Sequence, residues 1–363
     1  MSNAKEFSIS DDTIDIILQK KHEMGFGDRD WDSWFNHLFS IDATKSTEQT
    51  IEETLQKITR DKWSEKWITN FALNLDKIWS GKSVKNLKNL RNKSGSSAIV
   101  IGRGPSLSKH KHLELLSSSN YSGTIVCSDG ILTTVLENGI TPDKFPNFFV
   151  VTIDPQDVQK KFYEDKIIEK YGSKIKALFS TTTSPNVIEQ AENFGLEIFW
   201  FHNLIDFDNE NISLNSVFGK MVRSKNHYDG LPAIQTGGNV GTSSWVLSWS
   251  ILQCSPIAMI GIDHGFLADT PWENIVKDKE LLAKSNFEND ETFKKAYPIG
   301  HNPDFDCDYK QSPQFQYYSN AFREFIPKAP KWVKTINATE GGAIHGKNIE
   351  GMAFSKFLNM YTE

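Results

Sequence analysis

The strongest constraint on this chain is a series of short apolar runs, each closed by polar or glycine residues and followed by a stretch of helical spacing. Ala98 to Ile101 shows it best: four small or β-branched residues without polar alternation, the composition of a strand covered on both faces. Thr124 to Cys127, Phe148 to Ile153, Ala177 to Phe179, Ile198 to Phe201, Pro256 to Ile262 and Val333 to Ile336 read as further strands. Helices are expected between them, through Leu132 to Leu136, up to Tyr171 and over Trp245 to Leu252. This alternation predicts an α/β chain with a mostly parallel sheet and helices on both faces.

In such sheets ligands bind at the carboxyl ends of the strands. Polar residues collect at those ends: Gly102, Gly104, Pro105 and Ser106, then Ser128, Asp129 and Gly130, then Asp154 to Gln156, then Asp263 with His264. Gly102 and Gly104 let the backbone turn sharply near a ligand. Pro105 suits the first turn of a helix whose free N–H groups Ser106 and Ser108 can cap, and those groups suit an anion such as phosphate. The spacing is neither Gly-x-Gly-x-x-Gly nor a Walker loop. Arg103, between the glycines, either contacts phosphate or points into water. A second glycine cluster, Thr236, Gly237, Gly238 and Asn239, leads into the apolar helix and reads as a backbone nest. A third, Thr339, Glu340 and Gly341, follows the last strand.

The formal net charge of −6 over 363 residues argues against a protein that binds nucleic acid through a basic surface. Cys127, Cys254 and Cys307 are too scattered for a disulfide framework or a zinc cage, as befits a reducing cytoplasm. Met1 to Asp12 lacks the basic-then-apolar order of a signal sequence, and Trp245 to Ile262 is too broken by Ser, Gln and Pro to span a membrane. A soluble, cytoplasmic protein is expected. With 10 Trp and 24 Phe, the chain can both fill a core and present a partner or oligomer surface.

Residues 1–93 read as a helical N-terminal region. Trp63, Trp67, Phe71, Leu75, Ile78 and Trp79 form its apolar stripe, packed on the main domain, 94–363, or offered to a partner. The basic cluster from Lys82 to Lys93 reads as a solvated linker. The span 266–316 reads as a lid or insertion. Its His301, Asp304, Asp306 and Asp308 are candidate cation ligands, though spaced acids on a loop are usually only solvated.

The order of motifs resembles the MAF/MptE-like family. The resemblance rests on Ile101-Gly102-Arg103-Gly104-Pro105-Ser106-Leu107, Ser128-Asp129-Gly130, Asn138 to Asp143, Val151-Thr152-Ile153-Asp154-Pro155-Gln156, Gly237-Gly238-Asn239-Val240, Ile260-Gly261-Ile262-Asp263 and Ile336 to Ala343. It covers about residues 96 to 350. That family includes motility-associated-factor flagellin glycosyltransferases and archaeal 6-hydroxymethylpterin diphosphokinases, and the resemblance implies a Rossmann-like fold around a nucleotide. Where many members have Gln-Asp-Leu, this chain has Ile262-Asp263-His264.

The first reading is a nucleotide-dependent transferase that moves a nonulosonic-type sugar from a CMP-activated donor to a hydroxyl on a protein or glycan. Gly102, Gly104, Pro105, Ser106, Thr236, Gly237, Gly238, Asn239, Thr339, Glu340 and Gly341 would hold the donor phosphate and sugar. Ser128, Asp129, Gly130, Asp154 and Gln156 would line the nucleoside pocket, and Asp263, His264 and Asp154 would carry the proton chemistry. No tightly bound cofactor is expected. The alternative keeps the pocket but transfers diphosphate from ATP to a pterin alcohol, with Mg²⁺ held by Asp129 and Asp154. A third reading is a non-catalytic binding protein of the same fold.

Overall fold

Val, Ile, Phe and Ala runs bury both faces of each strand, and in the computed structural model these runs assemble into one sheet. The structure describes residues 47–90, 96–205, 213–277, 282–283 and 287–362. By its internal contacts the chain forms two units, 1–57 and 58–363. Of the first, only 47–57 are described, as the opening turns of a helix. The predicted helical spacing at Ile14, Ile17 and Leu18 lies outside the described residues.

The second unit is built on the strands β1 (Lys82–Ser83), β2 (Ala98–Ile101), β3 (Thr124–Ser128), β4 (Phe148–Thr152), β5 (Lys176–Ser180), β6 (Glu197–Asn203), β7 (Ala233–Ile234), β8 (Ile257–Ile260), β9 (Phe266–Leu267), β10 (Ile299–Asn302), β11 (Cys307–Lys310), β12 (Thr335–Asn337) and β13 (Ile349–Gly351). The main sheet runs β1-β6-β5-β4-β3-β2-β8-β12-β13, with β7 also on β6. Every pairing in it is parallel. Alternate residues go to opposite faces, as the strand period requires. Ile99, Ile101, Ile125 and Val150 enter one core cluster, while Ala98, Val100, Val126 and Val151 enter the other. A two-sided α/β, Rossmann-like sheet is therefore what the sequence encodes.

Helix α1 (Thr47–Ser80) buries Phe71 and Ile78 in the first cluster, where Phe71 stacks on Phe218 at 3.9 Å. Trp63 and Trp67 are half-buried and Trp79 is exposed. The same cluster takes α2 (Ser106–Lys109), α3 (His112–Ser118) and α4 (Leu132–Glu137). Helix α5 (Val240–Ser250) covers the opposite face with α6 (Pro313–Phe325), Trp245 meeting Phe322 edge to face at 5.1 Å. A last helix, α7 (Phe354–Tyr361), returns to the first face. None of the described helices is long and apolar enough to cross a membrane.

Three expectations change. The Lys82–Lys93 cluster is not a solvated linker over its described part: Lys82 and Ser83 pair with Phe199 and Trp200, and Val84 and Leu87 are buried in the second cluster. The strand expected over Pro256 to Ile262 stops at Ile260, because Gly261 turns with φ +62°. After Asp154 the chain makes a 3₁₀ segment, Asp157–Tyr163, before the helix Lys166–Tyr171. Within 266–316, β10-β11-β9 form a small antiparallel sheet beside an apolar cluster of Trp272, Ile275, Val276 and Phe293.

Candidate functional site

From β2 the chain proceeds through β3, β4, β5 and β6 to one side, then crosses back to place β8 on the other side of β2. The strand order therefore reverses between β2 and β8, and in open α/β sheets ligands sit at the carboxyl ends beside such a reversal. The loops leaving β2 and β8 meet there. Gly104 N donates to Gly261 O at 2.7 Å, and Ser106 Oγ donates to Asp263 Oδ2 at 2.9 Å. The loop after β12 joins them through Ala343 N, which donates to Asp263 O at 2.8 Å.

Glycines make this interlock possible. A Cβ on Gly102 would lie 2.3 Å from Gly261 O, one on Gly104 would lie 1.8 Å from Asp263 Oδ2, and one on Gly342 would lie 2.5 Å from Asp263 O. The Gly102 and Gly104 turn thus serves loop-on-loop packing, where the sequence suggested close approach to a ligand. The helix it opens is a single turn, and Pro105 occupies its cap position without a side-chain capping bond. Ser106 gives its proton to Asp263 instead of capping. The expected helix-borne anion site is not built there, since one turn leaves little macrodipole.

Asp263 is buried, and burial pushes its carboxyl up to about 7, with the Ser106 hydrogen bonds pulling the other way. It borders a cavity of about 20 Å³, shared with Ser106, Lys109, His110, Cys307 and Thr339. That is room for about one water molecule. Next to it His264 is buried with φ +46°, a left-handed conformation that costs a non-glycine residue energy. Neither ring nitrogen has a hydrogen-bond partner, and burial pulls the imidazole down to about 3, so it is neutral at physiological pH. Gln311 Nε2 holds its backbone carbonyl at 2.9 Å.

Two strands away, Asp129 is buried at the end of β3. Its Oδ1 accepts from Gly130 N at 2.7 Å, whereas Oδ2 has no partner. Burial, reinforced by the charge of Asp154, raises its carboxyl to about 7. Asp154 itself accepts from Gln156 N at 2.9 Å and from Gln156 Nε2 at 3.4 Å. Ser128 Oγ turns back to Ile101 O at 3.4 Å. Asn239 caps α5 through Thr242 N at 2.8 Å, and Gly238 N donates to Thr236 Oγ1 at 3.3 Å. Gly237 and Gly238 are left-handed, with φ +57° and +77°.

The side chains of the last motif turn inward. Thr339 shares its hydroxyl between Asn337 Oδ1 and Gly341 O, at 2.6 and 2.7 Å. Glu340 Oε1 accepts from Phe354 N at 3.1 Å, the first amide of α7, and lies 3.2 Å from His112 Nε2. The candidate cation ligands do not assemble. His301 takes Asp308 on Nδ1 at 2.8 Å and Asp306 on Nε2 at 3.6 Å, while Asp304 packs against Gly351. Among the described residues no group of three such side chains is placed to hold a metal ion.

Several contributors were not expected. Tyr317 and Tyr318 on α6 flank Gly238, whose Cβ would lie 2.8 and 2.9 Å from their rings. Tyr318 lies 6.0 Å from the His264 ring, and the Asp154 charge reaches its hydroxyl. Arg323, farther along α6, donates to Ala343 O at 3.0 Å. Asn70 on α1 donates to Pro155 O and Thr182 O at 2.9 and 3.0 Å, and Asn74 to Thr181 O and Thr183 O at 3.1 and 2.8 Å, bracing the loops after β4 and β5. A tyrosine pair beside a serine-capped helix start was the available signal; nothing local tied it to Gly238.

Residues 69–269 match a family model described as 6-hydroxymethylpterin diphosphokinase MptE-like. Among solved structures, the chain is similar to a MAf glycosyltransferase from Magnetospirillum magneticum AMB-1, with 12% identity and a TM-score of 0.48. The match covers 85% of this chain and 48% of that one, so this chain spans about half of its length. No curated protein matches the sequence.

Proposed function

The chain belongs to the 6-hydroxymethylpterin diphosphokinase MptE-like family, and from that premise we propose that it is a nucleotide-dependent transferase acting at the β2/β8 reversal. The observation that carries the reading is the meeting of the loops after β2, β8 and β12 at the buried carboxyl of Asp263, with a second buried carboxyl, Asp129, at the end of β3 two strands away, both raised to about 7. A carboxyl poised near the working pH is suited to accept or return a proton.

The first form of the reading is glycosyl transfer from a CMP-activated, nonulosonic-type sugar to a protein or glycan hydroxyl. Asp263 takes the acceptor's proton as the acceptor oxygen bonds to the anomeric carbon and the bond from that carbon to the phosphate oxygen breaks. CMP leaves with the electron pair, and the Gly237–Gly238 nest stabilises its charge. Asp129 and Asp154 line the nucleoside side. His264, neutral, offers a donor or acceptor nitrogen without adding charge. The scattered thiols suit a cytoplasmic setting, because Cys127, Cys254 and Cys307 form no disulfide among the described residues.

A second form is favoured by the bare Oδ2 of Asp129 beside Asp154. It is diphosphate transfer from ATP to a pterin alcohol. Asp129 and Asp154 are the residues that would hold Mg²⁺, which when bound neutralises phosphate charge. Two carboxylates with phosphate oxygens and water are an ordinary Mg²⁺ shell.

Thermal melts with CMP, a CMP-nonulosonate or ATP, each with and without Mg²⁺, test the choice. Stabilisation by CMP compounds without metal is the expected result. Stabilisation by ATP only with Mg²⁺ transfers the conclusion to the second form. If S106A, D154N and D263N combined leave cellular function intact, the chain is a binding protein and not a catalyst.

A further inference from the structure

The wall of the site facing Asp154 comes from α6 and not from any strand end. Ser312 Oγ accepts from Phe315 N at 3.4 Å and Pro313 opens the helix, fixing where its second turn falls. Phe322 anchors the helix in the second core cluster, and the buried Ser319 accepts from Gln311 Nε2 at 3.1 Å. Tyr317 and Tyr318 are left half-buried over the rim.

Tyr318 has a buried histidine without hydrogen-bond partners, His264, on one side and the half-buried Asp154 carboxyl, held by Gln156, on the other. Next to Asp154 lies Asp129 with its bare Oδ2. The Tyr318 oxygen accepts from Gln314 Nε2 at 2.5 Å, and its own proton makes no hydrogen bond among the described residues. The ring also closes on the glycine nest, because any side chain at 238 would strike it. A half-buried aromatic face with a fixed, unspent O–H, flanked by an unsatisfied imidazole and a carboxyl, matches a flat heteroaromatic ring carrying hydrogen-bond acceptors.

Resting on the transferase reading above, we infer that Tyr318 is a substrate-contacting residue: its ring stacks on the base of the bound nucleotide and its hydroxyl donates to an acceptor on that nucleotide. Tyr317, whose ring also packs on Gly238, keeps the nest in place and does not touch the base. Base-on-aromatic stacking is worth roughly 1–3 kcal/mol by alanine substitution, which is about a fivefold to hundredfold change in dissociation constant.

The test is intrinsic tryptophan fluorescence titration of the full chain with CMP, and with ATP plus Mg²⁺, in the wild type, Y318F, Y318L, Y318A and Y317L. Y318L keeps the apolar packing that Y318A removes, and melting without nucleotide checks the fold of each. Y318L and Y318A are expected to bind at least about fivefold more weakly, Y318F to lose about twofold by removal of the donor, and Y317L to stay near wild type. Wild-type binding that survives unchanged in Y318L overturns the inference and leaves the transferase reading standing. A wild type that binds neither nucleotide overturns both.

Discussion

Glycine-to-alanine changes separate the positions where the loops interlock from those that are merely flexible. G102A drives a methyl group against the Gly261 carbonyl, 2.3 Å away, and against Ile262 Cγ1 at 2.8 Å, and the carbonyl is backbone that cannot swing clear. It should cost about 2 kcal/mol or more. G104A should cost as much and also push Asp263 off Ser106, abolishing activity. G219A is the control: it lies in the helix Leu214–Met221 and its methyl meets nothing within 4 Å, so it should stabilise by about 0.5–1 kcal/mol. Chemical denaturation of the three variants checks the order. The sequence makes Gly102 and Gly104 visible as a turn but hides their partner, because Gly261 lies far along the chain and contact is a property of the fold. The buried acids add a pH signature. Asp129 is raised to about 7 when folded against 3.8 as the ordinary value, so the native state binds the extra proton between those limits. Its contribution is fully present below pH 3.8 and lost as the pH rises through 7. His264, lowered to about 3 from 6.5, works oppositely: its contribution holds above 6.5 and is lost towards 3. D129N keeps the bond from Gly130 N and removes the first trend. Its melting midpoint should therefore exceed wild type at pH 8 by clearly more than at pH 4.5, and equal differences at the two pH values would contradict the burial argument.

Among the elements, α1 shows how a stripe that looks purely apolar can carry polar function. Phe71 and Ile78 follow the expected spacing and are buried, but Asn70 and Asn74 on the same side are buried too, clamped to the carbonyls of Pro155, Thr181, Thr182 and Thr183. Replacing Asn74 with Ala leaves buried carbonyls without donors, which costs about 2–4 kcal/mol including the cavity. N70A should cost less in stability but weaken nucleotide binding several-fold, because Asn70 holds the loop that begins at Asp154. Urea midpoints and the fluorescence titration, run on both variants, separate these effects. Equal losses of stability and binding in the two would contradict a loop-bracing role. The segment after α1 shows why charge patterning misleads. Lysines at 82, 85 and 88 suggest a solvated linker, yet Val84 and Leu87 between them are buried and Lys82–Ser83 adds a parallel strand beside β6. Lys82 is exposed and Lys85 half-buried while Val84 and Leu87 point in, a pattern three residues apart that net charge obscures. Strands such as Ala98–Ile101 were readable because burial on both faces leaves no room for polar residues. The α6 tyrosines were not, because their meaning depends on Gly238, some eighty residues earlier.

At the level of the whole chain, the parallel sheet fixes where chemistry is possible, because every strand points its carboxyl end to the same rim. The loops after β2, β3, β4, β7, β8 and β12 lie at that rim, and those leading into the strands, such as 119–123, 143–147 and 194–196, lie at the other. Hydrogen exchange can read this polarity directly. In the free protein the amides of β2, β3 and β8, buried in the middle of the sheet, should exchange only on global unfolding. Those of β13, three residues long at an edge of the sheet, should exchange by local opening, which needs less free energy. A bound nucleotide should then slow exchange together at 102–106, 129–131, 153–157, 236–240 and 262–265, since the loops are tied to one another through Asp263, Tyr318 and Gly238. The opposite rim should not respond beyond the uniform slowing that global stabilisation gives the core. Protection confined to one of these loops would mean that the ligand meets a single local site and that the β2/β8 reversal is a feature of folding without a role in binding. Protection at 119–123 and 143–147 would place the ligand at the wrong end of the sheet and refute the transferase site altogether.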